Sequence, residues 1–154
     1  MRIAECGLRN FKLGTLNAEF RICENDLKNR TKAFALRILK VVNAIPKCTA
    51  GRALASQIVR SGTSVAANYR AACRAKSPAD FISKMGNVEE EADETLLWLE
   101  LLEESELVPA AKLTALKQEA DELIAITVAS INTARRNRAP GSKSAIRNPR
   151  SALE

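Results

Sequence analysis

The residues most able to do chemistry in this 154-residue chain are an acidic run, Glu89-Glu90-Glu91-Ala92-Asp93-Glu94, four cysteines and a large set of cations. Paired carboxylates serve general acid/base catalysis or hold a divalent metal. On a helix, however, Glu90 and Glu94 share one face, Glu89 and Asp93 another, and Glu91 is rotated between them. That geometry reads as a solvated, ion-pairing surface. Cys6, Cys23, Cys48 and Cys73 lie far apart with no Cys-x-x-Cys pair, so free thiols fit better than a zinc site or a disulfide framework. The chain contains no histidine. Ser-His and Cys-His nucleophile pairs are therefore absent, as is the Glu-x-x-His motif with which ferritin-like proteins bind two irons. No catalytic constellation, cofactor or metal site is expected.

Charge is the chemistry that remains. Residues 21–76 carry twelve Lys/Arg against two acids, a net of +10, whereas residues 77–134 carry three lysines against thirteen acids, a net of −10. The formal charge of +6 and the isoelectric point near 9.4 come largely from a basic C-terminal tail. A basic half and an acidic half permit three readings. The cations face phosphates, with affinity falling steeply in salt; or the basic half of one subunit meets the acidic half of the next; or the two signs neutralise each other across helices within one chain. Arg30, Lys32, Arg37, Lys40 and Arg52 are the candidate nucleic-acid contacts, whether to RNA or to DNA. Tyr69 is the one obvious candidate for base stacking.

The elements that must position these groups read as helices. Gly and Pro are few, aromatics make up 4%, and Ala, Leu, Glu, Arg and Lys dominate, which favours an all-α fold in one domain. No apolar run approaches the roughly 20 residues needed to span a bilayer. Arg2, Glu5 and Arg9 interrupt any N-terminal signal-like stretch, so a cytoplasmic protein is expected, with no membrane partner. Residues 1–25 have weak periodicity and are read as a poorly ordered extension; residues 135–154, rich in Arg, Pro and Gly, are read as a disordered basic tail.

Between them, four apolar patterns of matched length occupy residues 26–134. Leu27, Phe34, Ile38, Val41 and Ile45 predict a first helix from about Asp26, stopped by Pro46. A second runs from about Ala50, with Thr49 as its cap, to Ala75. It continues through Ser61-Gly62-Thr63-Ser64, because Leu54, Ile58, Val65 and Ala72 keep a heptad seam that also passes Ser61 and Asn68. Ser77-Pro78-Ala79-Asp80 is a helix start, with Ser77 as N-cap. The third helix buries Phe81, Met85, Val88, Ala92, Thr95, Leu99 and Leu102; the fourth buries Leu113, Leu116, Ala120, Leu123, Thr127 and Ile131 and ends near Ala134. Short links between matched helices predict an antiparallel up-down-up-down four-helix bundle. Arg60, Ser61, Asn68, Arg70, Glu91 and Glu94 are assigned to a polar seam between helices two and three, with Glu91 or Glu94 meeting Arg60 or Arg70. Apolar residues beside the seams, namely Leu97, Trp98, Leu101, Ile124 and Val128, exceed what one core requires and are assigned to a subunit interface.

Several runs together resemble a known family. They are Arg30-Thr31-Lys32-Ala33-Phe34-Ala35-Leu36-Arg37-Ile38, Arg60-Ser61-Gly62-Thr63-Ser64-Val65-Ala66-Ala67-Asn68-Tyr69-Arg70, Ser77-Pro78-Ala79-Asp80-Phe81 and Glu94-Thr95-Leu96-Leu97-Trp98-Leu99-Glu100-Leu101-Leu102. The chain is similar over about residues 26–130 to the four-helix-bundle proteins encoded in intervening sequences of 23S ribosomal RNA genes. The resemblance implies a left-handed antiparallel bundle, assembly into a ring-like homopentamer and no enzymatic activity. A related branch, the accessory variability determinant proteins of diversity-generating retroelements, comprises basic pentamers that work with a reverse transcriptase and RNA, so such a polymerase is an implied partner. Two positions depart from the pattern: Ala71 stands where an acid is common, and Glu90 where a lysine is common.

Overall fold

The computed structural model describes residues 18–138, and among them every regular element is a helix: α1 (Ala18–Val42), α2 (Thr49–Ala72), α3 (Pro78–Glu104) and α4 (Ala110–Arg138). α1 packs on α2 and on α4, and α3 packs on α2 and on α4. The diagonal pairs α1/α3 and α2/α4 are not neighbours. Residues 1–17 and 139–154, which hold most of the expected extension and tail, lie outside the described residues. The helical part is longer than the apolar patterns predict, since α1 begins at Ala18 rather than near Asp26 and α4 reaches Arg138 rather than Ala134. Both additions are turns with little apolar periodicity, which the seam pattern cannot register.

The seams themselves coincide with the core. Phe34, Ile38, Ile58, Val65, Met85, Val88, Leu99, Leu102, Leu113, Leu116, Leu123 and Ile131 are buried, and Phe81, Leu27, Val41 and Leu54 pack against them. Each large apolar side chain so buried contributes about 1.5–3 kcal/mol relative to exposure. On α2 the inward order is Ile58, Ser61, Gly62, Val65, Tyr69, Ala72. Tyr69 therefore takes the inward place expected of Asn68, which is half-buried at its flank.

α2 runs unbroken through Ser61-Gly62-Thr63-Ser64. The hydroxyls of Ser61 and Thr63 donate to the carbonyls four residues back, of Gln57 at 3.1 Å and Val59 at 2.7 Å, so both polar groups are satisfied inside the helix. Gly62 is where α1 comes close. A Cβ built there would lie 2.8 Å from Cγ1 and 2.9 Å from Cγ2 of Ile38.

The connections have readable causes. Cys48, not Thr49, caps α2, its Sγ accepting from the Gly51 amide at 3.3 Å. Gly51 lies tight against the Pro46 carbonyl, which a Cβ would approach to 2.1 Å, fixing the α1–α2 turn. Ser77 caps α3 as the sequence predicts, accepting from the Asp80 amide at 3.1 Å with Pro78 in the first turn. Asp80 also pairs with Lys84 at 2.6 Å, and chiefly that hydrogen bond holds its carboxyl below its usual value. After α3, Glu106 adopts a φ of 57° and the Val108 amide donates to the Leu102 carbonyl at 3.3 Å, reversing the chain.

Candidate nucleic-acid and assembly surface

Two interhelical ion clusters join a basic helix to an acidic one. Between α1 and α4, the Arg30 guanidinium donates to Glu119 at 2.6 Å and to Glu122, while Arg37 lies 3.9 Å from Glu119 and donates to the Ala115 carbonyl at 2.8 Å. The hydrogen bond to Glu119 is the main reason the Arg30 pKa is raised. Later residues of α1 thus meet earlier residues of α4. Between α2 and α3, Arg60 donates to Glu94 and to Glu91, the latter at 3.5 Å. A third pair, Lys117 with Glu103 at 2.6 Å, joins α3 and α4 and was not legible in the sequence, because neither residue lies on a seam.

The α2/α3 cluster is a layered site rather than one pair. The Trp98 indole N–H donates to Glu94 at 3.1 Å, so Glu94 accepts from both Arg60 and Trp98. Those bonds, Arg60 first, hold the Glu94 carboxyl below its usual range. Burial instead pushes Glu91 up, with Arg60 opposing the shift. Beneath them, Thr95 and Ser61, both fully buried, meet at 2.9 Å between their hydroxyl oxygens. Thr95 also lies 2.7 Å from the Glu91 carbonyl. With Ser61 donating to Gln57, the single Thr95 proton is shared between the Ser61 oxygen and the Glu91 carbonyl.

Arg60, Ser61, Glu91 and Glu94 are brought together as a polar seam, whereas Arg70 is exposed and makes no ion pair among the described residues. Of the five candidate nucleic-acid contacts, Arg30 and Arg37 are held by Glu119 and its neighbours. Lys32, Lys40 and Arg52 are exposed. Lys47, Arg70, Arg74 and Lys76 are exposed too, and none of these seven cations forms an ion pair among the described residues. Arg52 and Arg70 are 18 residues apart, five whole turns, and so lie on one face of α2 roughly 27 Å apart. Tyr69 is buried and offers no stacking face.

Of the candidate interface residues, Leu97 and Leu101 are exposed at 47% and 37%, while Trp98, Ile124 and Val128 are half-buried. The sequence pattern missed Leu36 and Leu39 on α1, exposed at 51% and 39%. They flank Phe34 and Ile38 in sequence, and a run of apolar residues hides which of them lie off the seam. Among the described residues, no group of three or more His, Cys, Asp or Glu is placed to hold a metal ion, and no helix is long and apolar enough to cross a membrane. Cys48 and Cys73 are free thiols.

Residues 24–129 match the family model described as 23S rRNA-intervening sequence protein. Among solved structures, the chain is similar to a protein of unknown function from the S23 ribosomal protein family of Bacteroides thetaiotaomicron, with 33% identity and a TM-score of 0.66 over 71% of this chain and 97% of that one. No curated protein matches.

Proposed function

We propose that this chain, which belongs to the 23S rRNA-intervening sequence protein family, is a non-enzymatic, self-assembling antiparallel four-helix bundle that associates with RNA through its basic helices. The cyclic order of helix neighbours, the short connections and the order of the α1/α4 pairs support the antiparallel arrangement. Left-handedness and a five-membered ring are carried by the family resemblance alone. Exposed leucines on α1 and α3 support assembly, since contiguous exposed apolar surface marks interaction sites.

The single observation that carries the RNA reading is the residue of charge after internal pairing. Arg30, Arg37 and Arg60 are matched to acids of α3 and α4, yet seven exposed cations remain on α1, α2 and the turns that flank α2. Phosphate contacts need such cations and no base-reading geometry. The test is anisotropy of a labelled structured RNA titrated with the full chain across about 50–300 mM salt. Binding should weaken log-linearly with salt, and Arg52→Ala with Arg70→Ala should each flatten the slope by about one unit. Absence of binding at the lowest salt would remove the RNA reading. The internal pairing of three arginines favours the second reading in that case, an assembly scaffold or protein-interaction module whose charges serve packing alone.

A further inference from the structure

Two exposed stripes with the same spacing lie on helices that are not neighbours. On α1, Lys32, Leu36, Leu39 and Lys40 are exposed; on α3, Asp93, Leu97, Glu100, Leu101 and Glu104 are exposed. Each stripe has leucines at its middle and charges of one sign around them, basic on α1 and acidic on α3. None of these charged residues makes an ion pair among the described residues. Lys32 to Lys40 spans about 12 Å of α1 and Asp93 to Glu104 about 17 Å of α3 at 1.5 Å per residue, so the shorter basic stripe fits within the acidic one.

We infer that the α1 stripe of one copy docks on the α3 stripe of the next, Leu36 and Leu39 packing on Leu97 and Leu101 with Lys32 and Lys40 facing Asp93, Glu100 and Glu104. Charge decides the occupant. Two α3 stripes brought together would oppose three acids to three acids, and two α1 stripes would oppose lysines, juxtapositions that cost several kcal/mol. The pairing of unlike stripes places opposite charges around a shared apolar centre. Because α1 and α3 occupy diagonal corners, one copy presents the two stripes on different sides, so the contact is heterologous and head-to-tail, and it closes as a ring where the rotation between successive copies allows. It also covers Lys32 and Lys40, which leaves phosphate contact to Arg52 and Arg70 on α2 and to Lys47, Arg74 and Lys76 in the turns that flank it.

This inference rests on the proposed self-assembly and is tested separately from it. The full chain carrying benzoylphenylalanine at Leu97 is irradiated, its mass measured by light scattering and its cross-linked peptides mapped. The expected result is an oligomer whose intermolecular adduct falls within residues 29–43. An oligomer whose adduct falls on α3 or α4 of the other copy, or that yields no adduct, overturns the α1–α3 contact and leaves assembly standing. A monomer overturns both. Charge reversal gives an independent readout at exposed positions: Lys40→Glu and Glu100→Lys should each raise the dissociation constant roughly tenfold, and the two combined in one chain should recover most of it. Additive loss in the combined variant would overturn the pairing.

Discussion

Gly62→Ala isolates the close approach of α1 to α2. In an open helix this change stabilises, because glycine costs roughly 0.5–1 kcal/mol relative to alanine. Gly86 on α3 is such a position, with nothing within 4 Å of an added Cβ. At Gly62 the new methyl would meet Ile38 at 2.8 Å and 2.9 Å, and the Ile38 β-carbon at 3.2 Å. These are atoms near the backbone of a fully buried side chain, so relief requires α1 itself to shift. Overpacking of that kind costs about 1–3 kcal/mol. The net expectation is a loss of about 1 kcal/mol for Gly62→Ala against a gain of about 1 kcal/mol for Gly86→Ala. Urea unfolding at one fixed protein concentration would read this as midpoints moving in opposite directions at unchanged slope. Ile38→Ala removes the two nearest atoms, Cγ1 and Cγ2, and leaves only the β-carbon, so in that background Gly62→Ala should become close to neutral or stabilising. Stabilisation by Gly62→Ala in the natural chain, matching Gly86→Ala, would refute the close approach.

The polar seam makes opposite predictions for its two glutamates. Glu94, held below the usual glutamate value of 4.5 by Arg60 and Trp98, contributes stability that is present above that value and lost as pH falls through its folded-state pKa. Glu91, raised by burial, contributes stability that is present below 4.5 and lost as pH rises through its own raised value. Glu94→Gln should therefore lower the unfolding midpoint at pH 7 by more than it does below pH 4.5. Glu91→Gln should lose least at neutral pH, and thermal melts across pH 3–7 distinguish the two. Ser61→Ala and Thr95→Val should each cost about 1 kcal/mol, with the double variant costing little more than either, because they share one hydrogen bond and each keeps a carbonyl on its own helix; strict additivity in denaturant unfolding would contradict this. Glu106→Gly should stabilise by roughly 0.5–1 kcal/mol, since Glu106 sits at a φ of 57° that glycine adopts without strain.

How much of this was legible in the sequence depends on what each feature leaves behind as pattern. The inward positions of α3 and α4, from Met85 to Leu102 and from Leu113 to Ile131, follow from four-three spacing because a helix that buries one stripe must repeat it. The continuity of α2 through Gly62 was readable for the same reason. Asn68 was misplaced by one position because two heptad registers, through Asn68 or through Tyr69, fit the flanking Val65 and Ala72 equally, and packing chose the aromatic residue. The site was less legible than the fold. Net charge by region identifies which halves are basic and acidic, but only coordinates assign Arg30 and Arg37 to Glu119 and leave Lys32, Lys40 and Arg52 exposed. Arg70 shows the same limit, since both arginines stand exposed on α2, about 80° apart around its axis, and only Arg60 finds acids opposite it.

On this reading the exposed leucines of α1 and α3 and the unmatched charges beside them serve copies of the chain itself, while the exposed cations of α2 and its flanking turns serve RNA. Native mass spectrometry of the full chain, at low micromolar concentration and moderate salt, counts those copies in units of the 16.8 kDa chain. A single closed species of five, dissociating as salt rises, is expected. A chain that stays at the mass of one copy under the same conditions would contradict it.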